Sequence, residues 1–328
     1  MTDMSAIASG TDHYAPPMGG AVTDVPVQTS NTGSAEKQET TTSRLANTAL
    51  LVSLVIHAWT ARKHDLRVSN QVAEDHNAPV DAGRYNKRLI PMDTPSYLAI
   101  KQHISVMRSF HYDNTLPWSQ EGSRILSSAN YMTYANGMRK LKQGYATKVQ
   151  AFLSDYRNVC QTAKERLNGL YREEDYPSNE AIRDKFGVDL VYLPMPAAED
   201  FRMNVGESEA RAIRAQITAE VERATVVAMK DLWGRLYSVV QRMAIRLAEP
   251  KGRFTDTLVE NVRDLCALLP KLNLTNDTQL EQMRQDVETA LSVHSPETLR
   301  NNDTLRADVA RQAAEIATKM GDYMRGAS

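Results

Sequence analysis

The stretch NYMTYANGMRKLKQGYATKVQAFLSDYRNVCQTAKERLNGL, residues 130–170, decides the fold class. Apolar side chains recur in it every three or four positions, which is the spacing of one face of an α-helix. This stripe consists of Tyr131, Tyr134, Met138, Leu141, Tyr145, Val149, Phe152, Tyr156, Val159, Ala163, Leu167 and Leu170. We therefore predict a helix over about 129–172. Gly137 and Gly144 lie inside it and indicate either a close approach of a neighbouring helix or a bend, because glycine otherwise weakens a helix by about 1 kcal/mol.

A second stripe of the same kind predicts another long helix over about 207–249, which Pro250 ends. Its members are Ile213, Ile217, Val221, Ala224, Ala228, Leu232, Leu236, Val240, Met243 and Leu247. Two long helices with one apolar stripe each, joined by a compact segment, are expected to pair antiparallel. The sequence thus predicts a mainly α fold: a long, coiled-coil-like antiparallel helical hairpin, additional packed helices, and a small α/β insertion over 174–206.

The insertion and the segment before the hairpin carry the remaining structural signals. Within the insertion, VDLVYL (188–193) and FRMNV (201–205) predict two short strands of a hairpin. The most apolar run of the chain, ALLVSLVIHAW (49–59), is interpreted as part of a buried helix over 45–62, and its β-branched residues leave a strand as the alternative. Three shorter helices, over 257–269, 278–291 and 296–324, are expected to pack on the hairpin.

Composition divides the chain into a tail and a folded part. Residues 1–42 are rich in Gly, Ser, Thr, Pro and Asp without an apolar period, so we expect a disordered tail. Residues 43–328 are expected to form one helical domain. The run at 49–59 is too short to span a bilayer, which requires about 20 residues. It also lies too far from Met1 to be a signal peptide. A cytoplasmic protein without a membrane partner is the resulting expectation.

Global composition excludes several classes of function. The chain has 39 Lys and Arg against 40 Asp and Glu, so no overall charge marks a nucleic-acid or membrane binder. Its 2 cysteines, Cys160 and Cys266, are too far apart for a disulfide framework or a cysteine-rich zinc site. The 7 histidines lack metal-ligand spacing, and no phosphate-binding loop or nucleophile motif occurs. We therefore assign no catalytic, metal or cofactor-binding residue and expect no cofactor.

One segment, 84–148, departs from this neutral balance. It contains ten lysines and arginines against three carboxylates, with aromatic residues between them. Cations for phosphates and aromatic faces for bases are how proteins hold single strands. The candidate nucleic-acid or partner contacts are Arg84, Lys87, Arg88, Tyr112, Trp118, Arg124, Arg139, Lys140 and Lys142. In the alternative interpretation the aromatic residues, Trp118 included, belong to the core, and the cations form a solvated face.

Several short motifs give the chain a family resemblance. They are Leu50 to Trp59, Arg62-Lys63, Arg84-Tyr85-Asn86-Lys87, Thr115-Leu116-Pro117-Trp118, Asn130-Tyr131, Asp231-Leu232-Trp233 and Leu272-Asn273-Leu274. In this combination the chain, from about residue 45 to its end, resembles a family of phage and prophage proteins classified as a domain of unknown function. The resemblance implies a phage genome, at times near genes for MoxR-like AAA+ ATPases and von Willebrand A-type proteins. It carries over no catalytic residue.

Three functional hypotheses follow. The first is a non-enzymatic phage or prophage protein in the bacterial cytoplasm that acts through protein–protein contacts or self-association, as an adaptor or substrate of an AAA+ ATPase system. The second is a single-stranded nucleic-acid-binding protein of phage replication or recombination. The third is a metal-dependent enzyme.

Overall fold

The computed structural model describes residues 41–118, 122–201, 205–249 and 253–326, all of which belong to one compact unit, Glu39–Ser328. The helices in this part of the chain are α1 (Thr41–Thr48), α2 (Leu66–Asp75), α3 (Pro95–Asp113), α4 (Ser128–Leu167), α5 (Asn179–Arg183), α6 (Glu207–Ala248), α7 (Thr257–Leu272), α8 (Thr278–Leu291), α9 (Pro296–Asn301) and α10 (Asp303–Gly326). The strands are β1 (Ala49–His57), β2 (Arg62–His64), β3 (Asn86–Arg88), β4 (Leu116–Pro117), β5 (Arg124–Ser127) and β6 (Gly187–Pro194). The mainly α class is confirmed. The predicted tail lies outside the described residues except for its last two positions, which start α1.

A four-stranded antiparallel sheet lies at the centre of this unit, in the order β4-β5-β1-β6. Strand β1 pairs with β5 on one side and, from Leu50 to His57, with β6 on the other. The prediction of a helix over 45–62 is therefore wrong beyond Thr48, and the alternative of a strand is correct. The physical reason is coverage on both faces: the first half of β1 is buried from both sides, so apolar residues do not alternate with polar ones.

Each face of the sheet packs against its own layer of helices. Leu51 and Ile125 belong to a core built with α6, α7, α8 and α10. Their neighbours Val52 and Leu126 belong to a second core built with α3 and α4. Successive residues of a strand point to opposite faces, so the same two strands supply side chains to both cores.

The two long helices are present over nearly the predicted lengths, with 40 residues in α4 and 42 in α6. Their antiparallel pairing is not confirmed, because in the described part of the chain α4 packs chiefly along α3 and α6 along α10. An apolar stripe shows that a helix face is buried but does not identify what covers it. Here the sheet separates the two stripes, which are buried in different cores.

The predicted insertion contributes to the main sheet. The strand expected at 188–193 is β6, and its partner is β1. The other expected strand, 201–205, lies for three of its five positions outside the described residues, and Phe201 and Val205 are not in a strand. The later helices α7 and α8 agree with prediction, whereas the expected helix over 296–324 is divided at Asn302 into α9 and α10.

The glycines of α4 permit close packing on α3. A Cβ atom on Gly137 would overlap the ring of Phe110, and one on Gly144 would lie 2.9 Å from Cε1 of His103. Of the two explanations for these glycines, a close helix approach or a bend, the close approach is correct. Among the helices that the structure describes, none is long and apolar enough to cross a membrane.

Candidate anion-binding site

A cleft of about 420 Å³ opens between the segment that follows β1 and the exposed side of α3. Its floor contains Trp59 and Tyr97, whose exposed fractions are only 7% and 4%. The Tyr97 hydroxyl donates a 2.8 Å hydrogen bond to the carbonyl oxygen of Trp59, which ties α3 to the end of the sheet. Both rings pack around Phe152 in the core. The floor is therefore rigid and apolar, and these rings are not free to stack on a base.

The turn after β1 places the first cation at the rim of the cleft. Ala61 has a left-handed φ of 53°, and its carbonyl oxygen accepts a 2.9 Å hydrogen bond from the backbone N–H of Leu89. The chain then enters β2, which pairs antiparallel with β3 in a two-stranded ribbon. In that register Arg62 lies directly opposite Arg88, so the two side chains leave the same face of the ribbon.

Helix α3 supplies two further cations, Lys101 and Arg108, which line the cleft together with Arg62. They are seven residues apart, which is two helical turns, and therefore share one face of α3. Arg88 stands beside Arg62 on the ribbon, and all four side chains are exposed. We call Arg62, Arg88, Lys101 and Arg108 the cleft cations; three of them line the cleft, and Arg88 lies outside the lining, next to Arg62.

The cleft cations have no anionic partner in the described part of the chain. No carboxylate of a described residue lines the cleft, and none of the four cations forms an ion pair with a described residue. Like charges directly opposite each other on a ribbon are destabilising. The hydroxyl groups of Thr60 and Ser105 add hydrogen-bond donors to the lining. The arrangement is electrostatically complementary to an anion.

The other face of the same ribbon is charged but internally balanced. Lys87 Nζ lies 2.9 Å from Asp65 Oδ2 and 2.6 Å from Asp175 Oδ2, and Lys63 Nζ lies 2.6 Å from Asp175 Oδ1. Lys87 also donates to the carbonyl oxygen of Leu170 at 3.0 Å. We call Lys63, Asp65, Lys87 and Asp175 the buried ion cluster, in which all but Lys63 are almost inaccessible. It fastens the ribbon to the chain that follows α4.

The pKa shifts in this cluster all favour the charged forms. The hydrogen bond from Lys87 lowers the pKa of Asp65 more than burial raises it. Burial alone would raise the pKa of Asp175, but Lys63 and Lys87 outweigh burial and lower it. Burial likewise opposes the charge on Lys87, yet its hydrogen bonds to Asp175 and Asp65 raise the pKa of the ammonium group. Two cations therefore face two anions, which leaves no net charge for a ligand.

The predicted contact residues do not form one surface. Of that set, Arg88 lies beside the cleft, opposite Arg62 on the ribbon, whereas Lys87 is 3% exposed and bonded within the buried ion cluster. The interpretation of Lys87 as a phosphate contact is corrected by this burial. Arg84 borders a separate cavity beside α2. Trp118 is partly buried against the core that contains α6 and α10.

The other predicted contacts lie at or beyond the end of α3. Tyr112 is exposed and has the Arg124 guanidinium 4.5 Å from its ring centroid. Arg124 also donates to the hydroxyl and the carbonyl oxygen of Thr115, at 2.7 and 3.0 Å, so it stabilises this turn. Three cations of α4 are exposed and line no part of the cleft: Arg139, Lys140 and Lys142.

The sequence does not predict which cations come together at the cleft. Lys101 and Arg108 belong to the basic segment but are absent from the predicted contacts, and Arg62 enters only as part of a motif. The juxtaposition of Arg62 with Arg88 depends on the register of two three-residue strands. The i, i+7 spacing of Lys101 and Arg108 is the one signal that could have placed them on one face of α3.

The described residues contain no group of three or more histidine, cysteine, aspartate or glutamate side chains arranged to hold a metal ion. The chain matches no family model, no curated protein and no solved structure in the three comparisons.

Proposed function

We propose that this protein binds single-stranded nucleic acid through the cleft cations. The observation that supports the proposal is that three cations line one cleft and a fourth lies beside it, none of them with a carboxylate partner among the described residues. Guanidinium and ammonium groups at a protein surface bind phosphates and release the counterions of the nucleic acid. In this proposal the unfavourable opposition of Arg62 and Arg88 is relieved when phosphates bind.

The spacing of the cations favours a polymer over a single small anion. Lys101 and Arg108 are separated by about 10 Å along α3, at 1.5 Å per residue. This distance exceeds the size of one phosphate group, so the two cations would contact different phosphates of one strand. Three of the cleft cations line a concavity rather than a protruding helix, and base-edge readout of a duplex requires an element that enters its groove. Backbone-dominated, sequence-tolerant binding of a single strand is therefore the expected mode.

Fluorescence anisotropy with a labelled single-stranded oligonucleotide tests this proposal. At low salt we expect the double variant R62A/R88A to bind at least ~10-fold more weakly than wild type, because two phosphates of the strand are then left without a cation. The matched control is R139A/K140A, which removes the same charge from α4 outside the cleft and should bind like wild type. If R62A/R88A and wild type bind the oligonucleotide with equal affinity, the strand does not bind at the cleft.

A second candidate function, contact with a protein partner, is favoured by the exposed edge of β6. Among the described residues β6 pairs on one side only, and its side chains Val191, Tyr192 and Leu193 are 46%, 40% and 49% exposed. Tyr131 lies beside them, with its ring centroid 6.1 Å from that of Tyr192. Proteins usually protect such edges with charge, because an unpaired edge accepts another strand.

The family resemblance suggests which partner to test at this edge. In this second proposal the protein is a phage adaptor or substrate that a MoxR-like AAA+ ATPase system engages by adding a strand to β6. Binding of a purified MoxR-like AAA+ ATPase should be abolished in V191K, which adds charge to the edge. V226K, at a valine of α6 that is 67% exposed, is the control. If both variants bind the ATPase equally well, β6 is not the contact.

A further inference from the structure

A second cationic cavity lies on the opposite side of the sheet from the cleft. It has a volume of about 330 Å³ and opens between the last turns of α6 and the start of α7. Its lining includes three arginines, Arg242, Arg246 and Arg253. Its apolar wall includes Leu258, which belongs to the core of α6 and α7, whereas the cleft floor belongs to the other core. The two cavities are therefore separate sites.

The charges in this cavity are only partly compensated. Arg242 and Arg246 are one helical turn apart on α6, a spacing at which like charges repel. Arg246 lies 3.5 Å from Glu249, and both of these side chains are about half exposed. Arg242 and Arg253 form no ion pair with any described residue. The arginines thus present excess positive charge to whatever enters the cavity.

The remaining groups fit a phosphate that is attached to a less polar carrier. Asn261 and the hydroxyls of Thr255 and Thr257 provide neutral hydrogen-bonding groups in the lining. Asp256 at the start of α7 is paired with Arg300, so this carboxylate does not neutralise the lining arginines. Phe254, whose ring has the Arg300 guanidinium 5.3 Å from its centroid, supplies apolar surface beside the charges.

We propose that this cavity is a binding site for a phosphomonoester, such as a nucleoside monophosphate or the terminal phosphate of a nucleic-acid strand. A phosphomonoester carries nearly two negative charges at neutral pH, and the planar fork of arginine binds its oxygens in pairs. Two guanidiniums without an ion-pair partner among the described residues, and a third that is weakly paired, match this charge. The proposal is independent of the cleft.

Isothermal titration calorimetry with the full chain tests the site, with AMP, inorganic phosphate and adenosine as probes. We expect AMP to bind, adenosine not to bind, and R242A/R253A to lower AMP affinity about 10-fold or more, because charged hydrogen bonds are removed. The variant R211A/R223A removes the same charge from exposed ion pairs elsewhere on α6 and should leave AMP affinity unchanged. R62A/R88A should also bind AMP normally, which separates this site from the cleft.

A comparison of oligonucleotides with and without a 5′ phosphate distinguishes the two sources of the group. If the terminal phosphate is the ligand, the phosphorylated strand binds more tightly to wild type, and R242A/R253A abolishes that difference. If a free nucleotide is the ligand, AMP binds and the two strands bind alike. Absence of binding by AMP, phosphate and the phosphorylated strand at millimolar concentration would overturn the proposal. So would AMP binding that R242A/R253A leaves unchanged.

Discussion

At the scale of single residues, Lys87 is a lysine of the basic segment whose buried ion pairs give it a structural role. It sits between Asp65 and Asp175 with almost no exposure. Removing one partner of a buried ion group costs about 3–5 kcal/mol. Without Lys87, Asp65 is left buried without a paired cation among the described residues, and Asp175 keeps only Lys63. We therefore expect the free energy of unfolding of K87M to fall by that much in urea denaturation. K140M, at an exposed lysine of α4, should stay within about 0.5 kcal/mol of wild type. A decrease in the free energy of unfolding of K87M by less than about 1 kcal/mol would contradict a stabilising role of the buried ion cluster.

The buried histidine His111 makes a second prediction at this scale, on pH dependence. Its Nδ1 lies 2.8 Å from the Tyr134 hydroxyl, and burial, aided by Arg124, lowers its pKa from 6.5 to about 4. The folded state therefore holds His111 neutral, while the unfolded state gains a proton below pH 6.5. Stability is fully present above pH 6.5 and falls as the pH decreases towards 4, with a slope approaching ~1.4 kcal/mol per pH unit.

Urea denaturation at pH 7 and pH 5 measures this effect. In H111Q, which keeps a polar side chain but does not titrate, we expect the stability difference between the two pH values to shrink. An unchanged difference would show that His111 is not the group that titrates. The pKa values of Asp65 and Asp175 are lowered below their ordinary value of 3.8, so the stability that they contribute disappears only at still lower pH.

At the scale of elements, the packing of α3 on α4 depends on glycine. Alanine at position 137 would overlap Phe110, whereas alanine at Gly234 in α6 would meet no atom within 4 Å. We expect G137A to destabilise the protein by about 1–3 kcal/mol through overpacking. G234A should be stabilising by up to ~1 kcal/mol, since alanine is the better helix former. Thermal denaturation of the two variants gives the comparison. Equal melting temperatures of the two variants would mean that α3 shifts to accommodate the added methyl group without loss of stability.

The elements also show how much of the fold is predictable from the sequence. The lengths of α4, α6, α7 and α8 are predictable because helical periodicity is a local property. Strand β1 is mistaken for a helix because a strand covered on both faces shows no alternation. Strands β4 and β5 have two and four residues, too few to show a pattern. The partners of α4 and α6 are not predictable, because an apolar stripe fits a sheet or another helix equally well.

The candidate site is less predictable than the fold for a related reason. Arg88 and Lys87 are neighbours in the chain, and no local signal separates them. In the folded chain, strand alternation places Arg88 on the same face as Arg62, and Lys87 on the opposite face, where it pairs with Asp175, which is distant in sequence. Charge in a segment is therefore predictable, but its division between surface and interior is not.

At the scale of the whole molecule, the positive cleft stands out because the chain as a whole is nearly neutral. With a formal net charge of −1, non-specific attraction of the entire surface to nucleic acid is weak. Binding through the cleft must then be local and must respond to the removal of individual cleft cations. Removal of the cleft cations should therefore weaken binding, whereas removal of the cations on α4 should not. The α4 cations are Arg139, Lys140 and Lys142, which the sequence also offers as candidates.

The salt dependence of oligonucleotide binding tests this central claim most directly. For wild type, R62A/R88A and R139A/K140A, the logarithm of the association constant is measured against the logarithm of salt concentration. We expect a steep decline for wild type and for R139A/K140A. For R62A/R88A we expect a slope flatter by about 1.4, because each phosphate that a cation neutralises on a single strand contributes about 0.7 to the slope. Absence of binding by wild type at the lowest salt concentration, or parallel slopes for wild type and R62A/R88A, would contradict binding through the cleft.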